Sequence, residues 1–164
     1  RVYTTDDIVG VELGGALKNI IAIGAGIIDG LEIGNNAKAA FITRGLAEIT
    51  RLGVAMGAKQ ETFSGLSGLG DLVTTCFSGL SRNRYLGEQL ASGHNLPEIQ
   101  ANMKQIAEGI TTTVAAMELA KLHEVEMPIT ELTGKVLFDK LDPRQAIDML
   151  MRRTPAVENL RPAS

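Results

Sequence analysis

The sequence predicts an all-α domain, and its length, composition and punctuation point the same way. At 164 residues the chain fits one domain with a core of its own. Alanine, leucine and isoleucine dominate, aromatics make up 4% and tryptophan is absent, which favours helices packed through small and aliphatic side chains. Cap-forming residues and prolines recur between apolar stretches, where helices begin.

Asp6 or Asp7 can cap a first long helix, running from about Val9 to Ile28. The opening Arg1 to Asp7 reads as a strand end leading into that cap. Gly24, Gly26 and Gly30 either weaken the far end of this helix or mark close helix crossings, and are read as packing residues. A loop from Asp29 to Asn35 leads into a second helix, about Asn36 to Met56. Its core stripe is Ala40, Ile42 or Thr43, Leu46, Ile49 and Leu52 or Val54, with Gly57 as the stop. Gly65 to Gly70 reads as a loop and Asp71 as the cap of a short helix, Leu72 to Cys76. Ser81 caps Arg82 to Ala91. Pro97 sits in the first turn of the next helix, which Gly109 ends after Glu108. Thr111 or Thr112 starts a helix through Leu122, Pro128 another to about Asp139, and Asp142-Pro143 caps the last, to Met151 or Arg153. Residues 1–153 thus form the helical domain, and a tail from Thr154 is expected to fray.

Net charge is −3, with no Lys/Arg stripe interleaved with aromatics, so a small-molecule partner is expected rather than nucleic acid or an anionic membrane. The apolar run Ile20 to Ile28 is too short and glycine-rich to insert in a bilayer. One cysteine, Cys76, excludes an internal disulfide and fits a reducing cytoplasm; with no His or Arg beside it, it reads as a small buried residue. His94 and His123 lack metal-ligand spacing, so no metal is expected. The six methionines read as gap fillers.

Three constellations can carry chemistry. In a helix, Gly14 and Gly15 share a face with Lys18, so its ammonium hangs over a groove without side chains, open to a packed backbone, a small ligand or both. Lys18 there either snorkels outward or serves an anion or a proton transfer. Asp71 either caps its helix or faces Lys18, and the pair could then hold a lysine able to exchange protons. Ser81-Arg82-Asn83-Arg84 puts two cations at a helix start, where free amides and the macrodipole are already positive. Either the arginines point to solvent or the start binds an anion, phosphate being the natural guess.

Together, Val11 to Asn19, Ile42 to Glu48, Gly68-Leu69-Gly70-Asp71-Leu72 and Ser81-Arg82-Asn83-Arg84 closely resemble the bacterial NAD(P)-dependent glycerol-3-phosphate dehydrogenase family. The resemblance runs to about residue 150 and covers only that family's C-terminal substrate domain, all-helical and similar to the C-terminal domain of 6-phosphogluconate dehydrogenase. It implies an N-terminal Rossmann domain outside this chain, which has no G-x-G-x-x-G in a βαβ setting. It implies NAD or NADP as cofactor and sn-glycerol 3-phosphate or dihydroxyacetone phosphate as substrate. By the same resemblance Lys18 is the proton acceptor and Asp71 its partner, with Asn19 and Thr75 in the substrate site. Ser81, Arg82 and Asn83 hold the phosphate, Arg82 also reaches the cofactor, and Ile106 and Glu108 lie near the nicotinamide. The chain alone is expected to be inactive. A non-catalytic helical homodimerisation module and a relative of ketopantoate reductase are the alternatives.

Overall fold

A computed structural model describes residues 2–152, and every regular element in that span is helical. In order these are α1 (Ile8–Gly30), α2 (Asn35–Ala55), α3 (Gln60–Phe63), a π-helical turn (Leu66–Gly70), α4 (Asp71–Phe77), α5 (Arg82–Ala91), α6 (Leu96–Asn102), α7 (Gly109–Leu122), α8 (Pro128–Phe138) and α9 (Pro143–Met151). The tail from Thr154 lies outside the described residues.

Most caps fall where the sequence places them. Asp7 accepts from the Gly10 amide at 2.9 Å, Ser81 from Arg84 at 3.2 Å, and Asp142 from Arg144 and Gln145 at 2.9 and 3.0 Å. Each satisfies amides that the first turn of a helix leaves unpaired. Gly57, at φ +93°, follows α2 as its stop; the Ala58 amide returns to Gly53 O and that of Gly57 to Val54 O. Residues 2–7 form no strand. Asp7 instead anchors this entry segment by also accepting from the Lys59 amide and the Thr62 hydroxyl. The Thr62 hydrogen bond, with that from Gly10, holds its carboxyl below the usual range.

α1 is the central element. Ile20, Ile21, Ala22, Ile23 and Ala25 are fully buried, and burying each isoleucine contributes about 2 kcal/mol or more. By length and composition α1 could cross a bilayer, but its apolar surface is spent on α2, α4, α5 and α7. It does not weaken at its glycines, because they are where its neighbours come closest. A Cβ on Gly24 would strike the Phe41 ring, one on Gly26 the Arg84 carbonyl, and one on Gly30 Ala91 and Glu88. From the other side, a Cβ on Gly87 would strike the Ile23 carbonyl. These contacts put α1 and α5 backbone against backbone, running in the same direction.

Two parts of the expected core shift. In α2 the buried face is Phe41, Ile42, Gly45, Glu48, Ile49 and Leu52; Ala40 and Val54 point outward because Phe41, not Ala40, fills the hollow over Gly24. Among the methionines, Met127 is buried and fills a gap and Met117 lies against Gly134 of α8, whereas Met149 and Met151 are exposed on α9. Cys76 is buried as expected, and burial pushes its thiol up to about 12, leaving no thiolate for chemistry near neutrality.

Glu48 is 2% exposed. It caps α8 from a distance, accepting from the Ile129 and Thr130 amides at 2.6 and 3.2 Å and from the Thr130 hydroxyl at 3.2 Å. Burial pushes its carboxyl from 4.5 up to about 7, the amide hydrogen bonds opposing the rise. The folded state therefore holds this proton more tightly than the unfolded chain. The associated stability is complete below pH about 4.5 and is lost as pH rises to about 7, a change on the order of 3 kcal/mol. Glu48→Gln should flatten this part of the curve in denaturant melts at several pH values. An unchanged slope between those pH values would show that Glu48 does not titrate there.

Candidate functional site

The site forms where α4 and α5 meet the middle of α1. Gly14 and Gly15 clear one face of α1 below Lys18, and the two halves of that clearing are used differently. A Cβ on Gly14 would sit 2.5 Å from the Ser67 carbonyl, so the π-helical turn fills that half; at Gly15 nothing lies within 4 Å. The turn owes its tightness to Gly68, where a Cβ would strike the Phe63 backbone. What reads as a loop from Gly65 to Gly70 is thus a helical turn pressed on α1, and it delivers Asp71.

Asp71 does not cap α4. Its Oδ2 accepts from Lys18 Nζ at 2.5 Å, and its Oδ1 accepts a long 3.4 Å bond from the Thr75 hydroxyl, which mainly donates to the Asp71 carbonyl at 2.7 Å. The π-helical turn runs directly into α4, leaving no free helix start for the carboxylate to cap. Lys18 is 21% and Asp71 38% exposed. Lys18 therefore neither snorkels free nor is sealed; it sits paired at the edge of open space.

Asn19 and Asn83 tie this pair to the start of α5. Asn83 Nδ2 donates to Asn19 Oδ1 at 2.9 Å, and Asn83 Oδ1 accepts from the Gly109 amide at 2.9 Å. Gly109 therefore does not stop a helix. α6 already ends at Asn102, and Gly109 opens α7, where a Cβ would come 2.7 Å from Asn83 Oδ1 and 2.9 Å from the Asn19 carbonyl. Ser81 caps α5, and Arg82, exposed, donates to Gln105 at 3.1 Å and pairs with Glu108 at 3.4 Å. Ile106, 69% exposed, lies on the same connection between α6 and α7. Lys18, Asn19, Asp71 and Thr75 are thus joined on one side, and Ser81, Arg82, Asn83 and Glu108 on the other, with the Asn19–Asn83 bond between them.

Arg84 is the exception among the cations at residues 81–84. Its Nε donates to Asp29 at 2.7 Å and its guanidinium pairs with Glu88, so it faces neither solvent nor the helix start. Asp29 also pairs with Lys38 at 2.6 Å, whose ammonium is almost fully buried and lies 4.2 Å over the Phe77 ring. This cluster joins the end of α1 to α2, α4 and α5. Sequence reading misses it because its members are far apart in the chain, although a carboxylate at the C-terminal end of a helix, where the dipole disfavours it, is a signal. Among the described residues no group of three His, Cys, Asp or Glu side chains could hold a metal ion. A separate groove of about 580 Å³ opens between α7 and α8, lined by Met117, Val125, Met127 and Phe138 among others, and shares no residue with this site.

A sequence profile described as the NAD-dependent glycerol-3-phosphate dehydrogenase C-terminus matches residues 7–148. The chain belongs to this family, as its C-terminal domain. It is 54% identical over 162 residues to "Glycerol-3-phosphate dehydrogenase [NAD(P)+] 2" of Salinibacter ruber, covering 99% of this chain and 47% of that protein. It is 58% identical over 159 residues to "Glycerol-3-phosphate dehydrogenase [NAD(P)+]" of Enterococcus faecalis, covering 97% and 47%. The crystal structure of glycerol-3-phosphate dehydrogenase from Coxiella burnetii superposes with a TM-score of 0.90 at 50% identity, over 93% of this chain and 47% of that one. The chain spans about half the length of the curated relatives it matches. These matches do not favour the dimerisation-module or ketopantoate reductase readings.

Two of the carboxylates that hold lysines, Asp29 and Asp71, differ in burial, which separates their contributions to stability. Asp29→Asn leaves the buried Lys38 ammonium poorly compensated and should cost about 3 kcal/mol or more in urea melts. Asp71→Asn should cost less than about 1 kcal/mol, as for other partly exposed pairs. Equal losses would contradict this division.

Proposed function

We propose that this chain is the substrate half of an oxidoreductase that interconverts sn-glycerol 3-phosphate and dihydroxyacetone phosphate with NAD or NADP. The observation that carries the reading is that Lys18 pairs with Asp71 while the next residue of α1, Asn19, is hydrogen-bonded by Asn83 at the start of α5. A proton-transfer group and an anion-seeking helix end then face one small phosphorylated alcohol.

In oxidation, hydride leaves C2 of the alcohol as Lys18, in its amine form, accepts the C2 hydroxyl proton; in reduction Lys18 returns a proton to the developing alkoxide. Asp71 orients the Lys18 head group, and Thr75 steadies Asp71. The space beside Gly15 admits the reacting carbon close to the α1 backbone. Ser81 fixes the first turn of α5, whose free amides, that of Asn83 included, together with Arg82 would hold the phosphate and anchor the substrate away from the reacting centre; the buried Asn83 side chain is taken up by Asn19 and Gly109. The nicotinamide cofactor, when bound, supplies or takes the hydride. Ile106, Glu108 and Arg82 would line its near edge, and the exposed apolar side chain and flanking polar groups of that connection suit a flat, partly charged ring.

The main cofactor surface would belong to a dinucleotide-binding domain outside this chain. Leu66, Leu69, Val73, Phe77 and Leu80, all exposed around the site, are the apolar surface it would cover. A reducing cytoplasm and a homodimer are compatible with this reading; sedimentation of the full-length protein reads the second directly.

In the full-length protein, Lys18→Ala should lower kcat for glycerol 3-phosphate oxidation by about 10² to 10⁴ with binding largely retained. A near-normal kcat would reject the proton-transfer role. Arg82→Ala should raise KM for the phosphorylated substrate by about tenfold or more; an unchanged KM would remove Arg82 from the phosphate site.

A further inference from the structure

The polarity of the buried amide chain beside Lys18 is fixed from one end. Asparagine side chains can present either oxygen or nitrogen to a neighbour, so their direction must come from a partner that cannot reverse. Gly109 is that partner: a backbone N–H can only donate, and it points at Asn83, which is 6% exposed. Asn83 must therefore turn Oδ1 toward Gly109 and Nδ2 toward Asn19, and Asn19 must accept with Oδ1. Among the described residues this is the only side-chain hydrogen bond of Asn19. Among the described residues no sealed side-chain nitrogen or oxygen lacks a partner, so the Asn19 Nδ2 group is not sealed from solvent. Asn19 is itself 8% exposed, so its donors open narrowly, one residue from Lys18.

We infer that Gly109 is a positioning residue: its amide, relayed through Asn83, forces Asn19 to present N–H donors, never its carbonyl, to an oxygen of the substrate. The inference rests on the function proposed above and adds the direction of this chain to it. Donors there complement an anionic or developing negative oxygen, and they do not compete with the substrate hydroxyl for the Lys18 amine. Glycine is needed at 109 because a Cβ would displace the Asn83 oxygen that the relay depends on. The relay also starts at the connection bearing Glu108, so a shift of that connection would alter the donor beside Lys18.

The test replaces the amide linking Glu108 and Gly109 by an ester in the full-length protein, which removes one N–H and changes neither side chains nor charge. The ester oxygen repels Asn83 Oδ1, so both asparagines reverse and Asn19 turns its carbonyl toward the ligand. We expect kcat/KM for glycerol 3-phosphate to fall by about tenfold or more. A value within twofold of the unmodified protein would overturn the inference. If the ester protein does not fold, Asn83→Asp serves instead. It still accepts from Gly109 but cannot donate to Asn19, and its defect should vanish in an Asn19→Leu background, where no donor is left to orient. An equally large defect in that background, or normal kinetics, would count against the relay. Absence of turnover in the unmodified protein would be a failure of the function, not of the relay.

Discussion

The close approach of α1 and α5, made without side chains at Gly26 and Gly87, is the constraint from which the rest of the site follows. Any larger residue at these positions would drive the two backbones apart, and the start of α5 would leave the middle of α1. Because they touch, Asn83 reaches Asn19, the residue that follows Lys18 in α1, and the Ser81 cap and Arg82 precede Asn83 in the same turn. Packing and placement of chemistry are one event here: the helix that buries the most residues among those described also carries Lys18 and its pair with Asp71.

Around that contact the charges separate into two kinds. Asp29, Lys38, Arg84 and Glu88 neutralise one another and pin the far end of α1 to α2 and α5. Lys18, Asp71, Arg82 and Glu108 lie nearer solvent and pair across open surface, where partners can be exchanged for a ligand at small cost. The first cluster makes the second reliable, since a rigid α5 start is what lets Arg82 face one place. Glu48 performs a similar service for α8, reaching from α2 to satisfy amides that Pro128 and its neighbours leave unpaired.

Much of this was legible in the sequence because it is local. Asp7, Ser81, Gly57 and Asp142 act within a few residues of themselves, so their caps and stops can be read from order alone. Lys18 over Gly14 and Gly15 follows from helical spacing, and its meeting with Asp71 was one of two readings that spacing left open. Gly109 misled because glycine after glutamate commonly ends a helix, whereas here the demand comes from Asn83, 26 residues earlier in the chain. At Asp71 the cap was the other of the two readings left open. Tertiary contact decided both. The roles of Glu48 and of the Asp29–Arg84 pair were invisible, because their partners lie 81 and 55 residues away in sequence.

The central claim is that Lys18 and the start of α5 grip opposite ends of one phosphorylated three-carbon molecule. A crystal structure of the full-length protein with dihydroxyacetone phosphate and a nicotinamide cofactor tests it most directly. The account places the phosphate against Arg82 and the first-turn amides of α5, and the carbonyl oxygen within hydrogen-bond reach of Lys18 Nζ. A ligand bound in the α7–α8 groove, or lying with its phosphate on Lys18 and its carbonyl turned away, would contradict it.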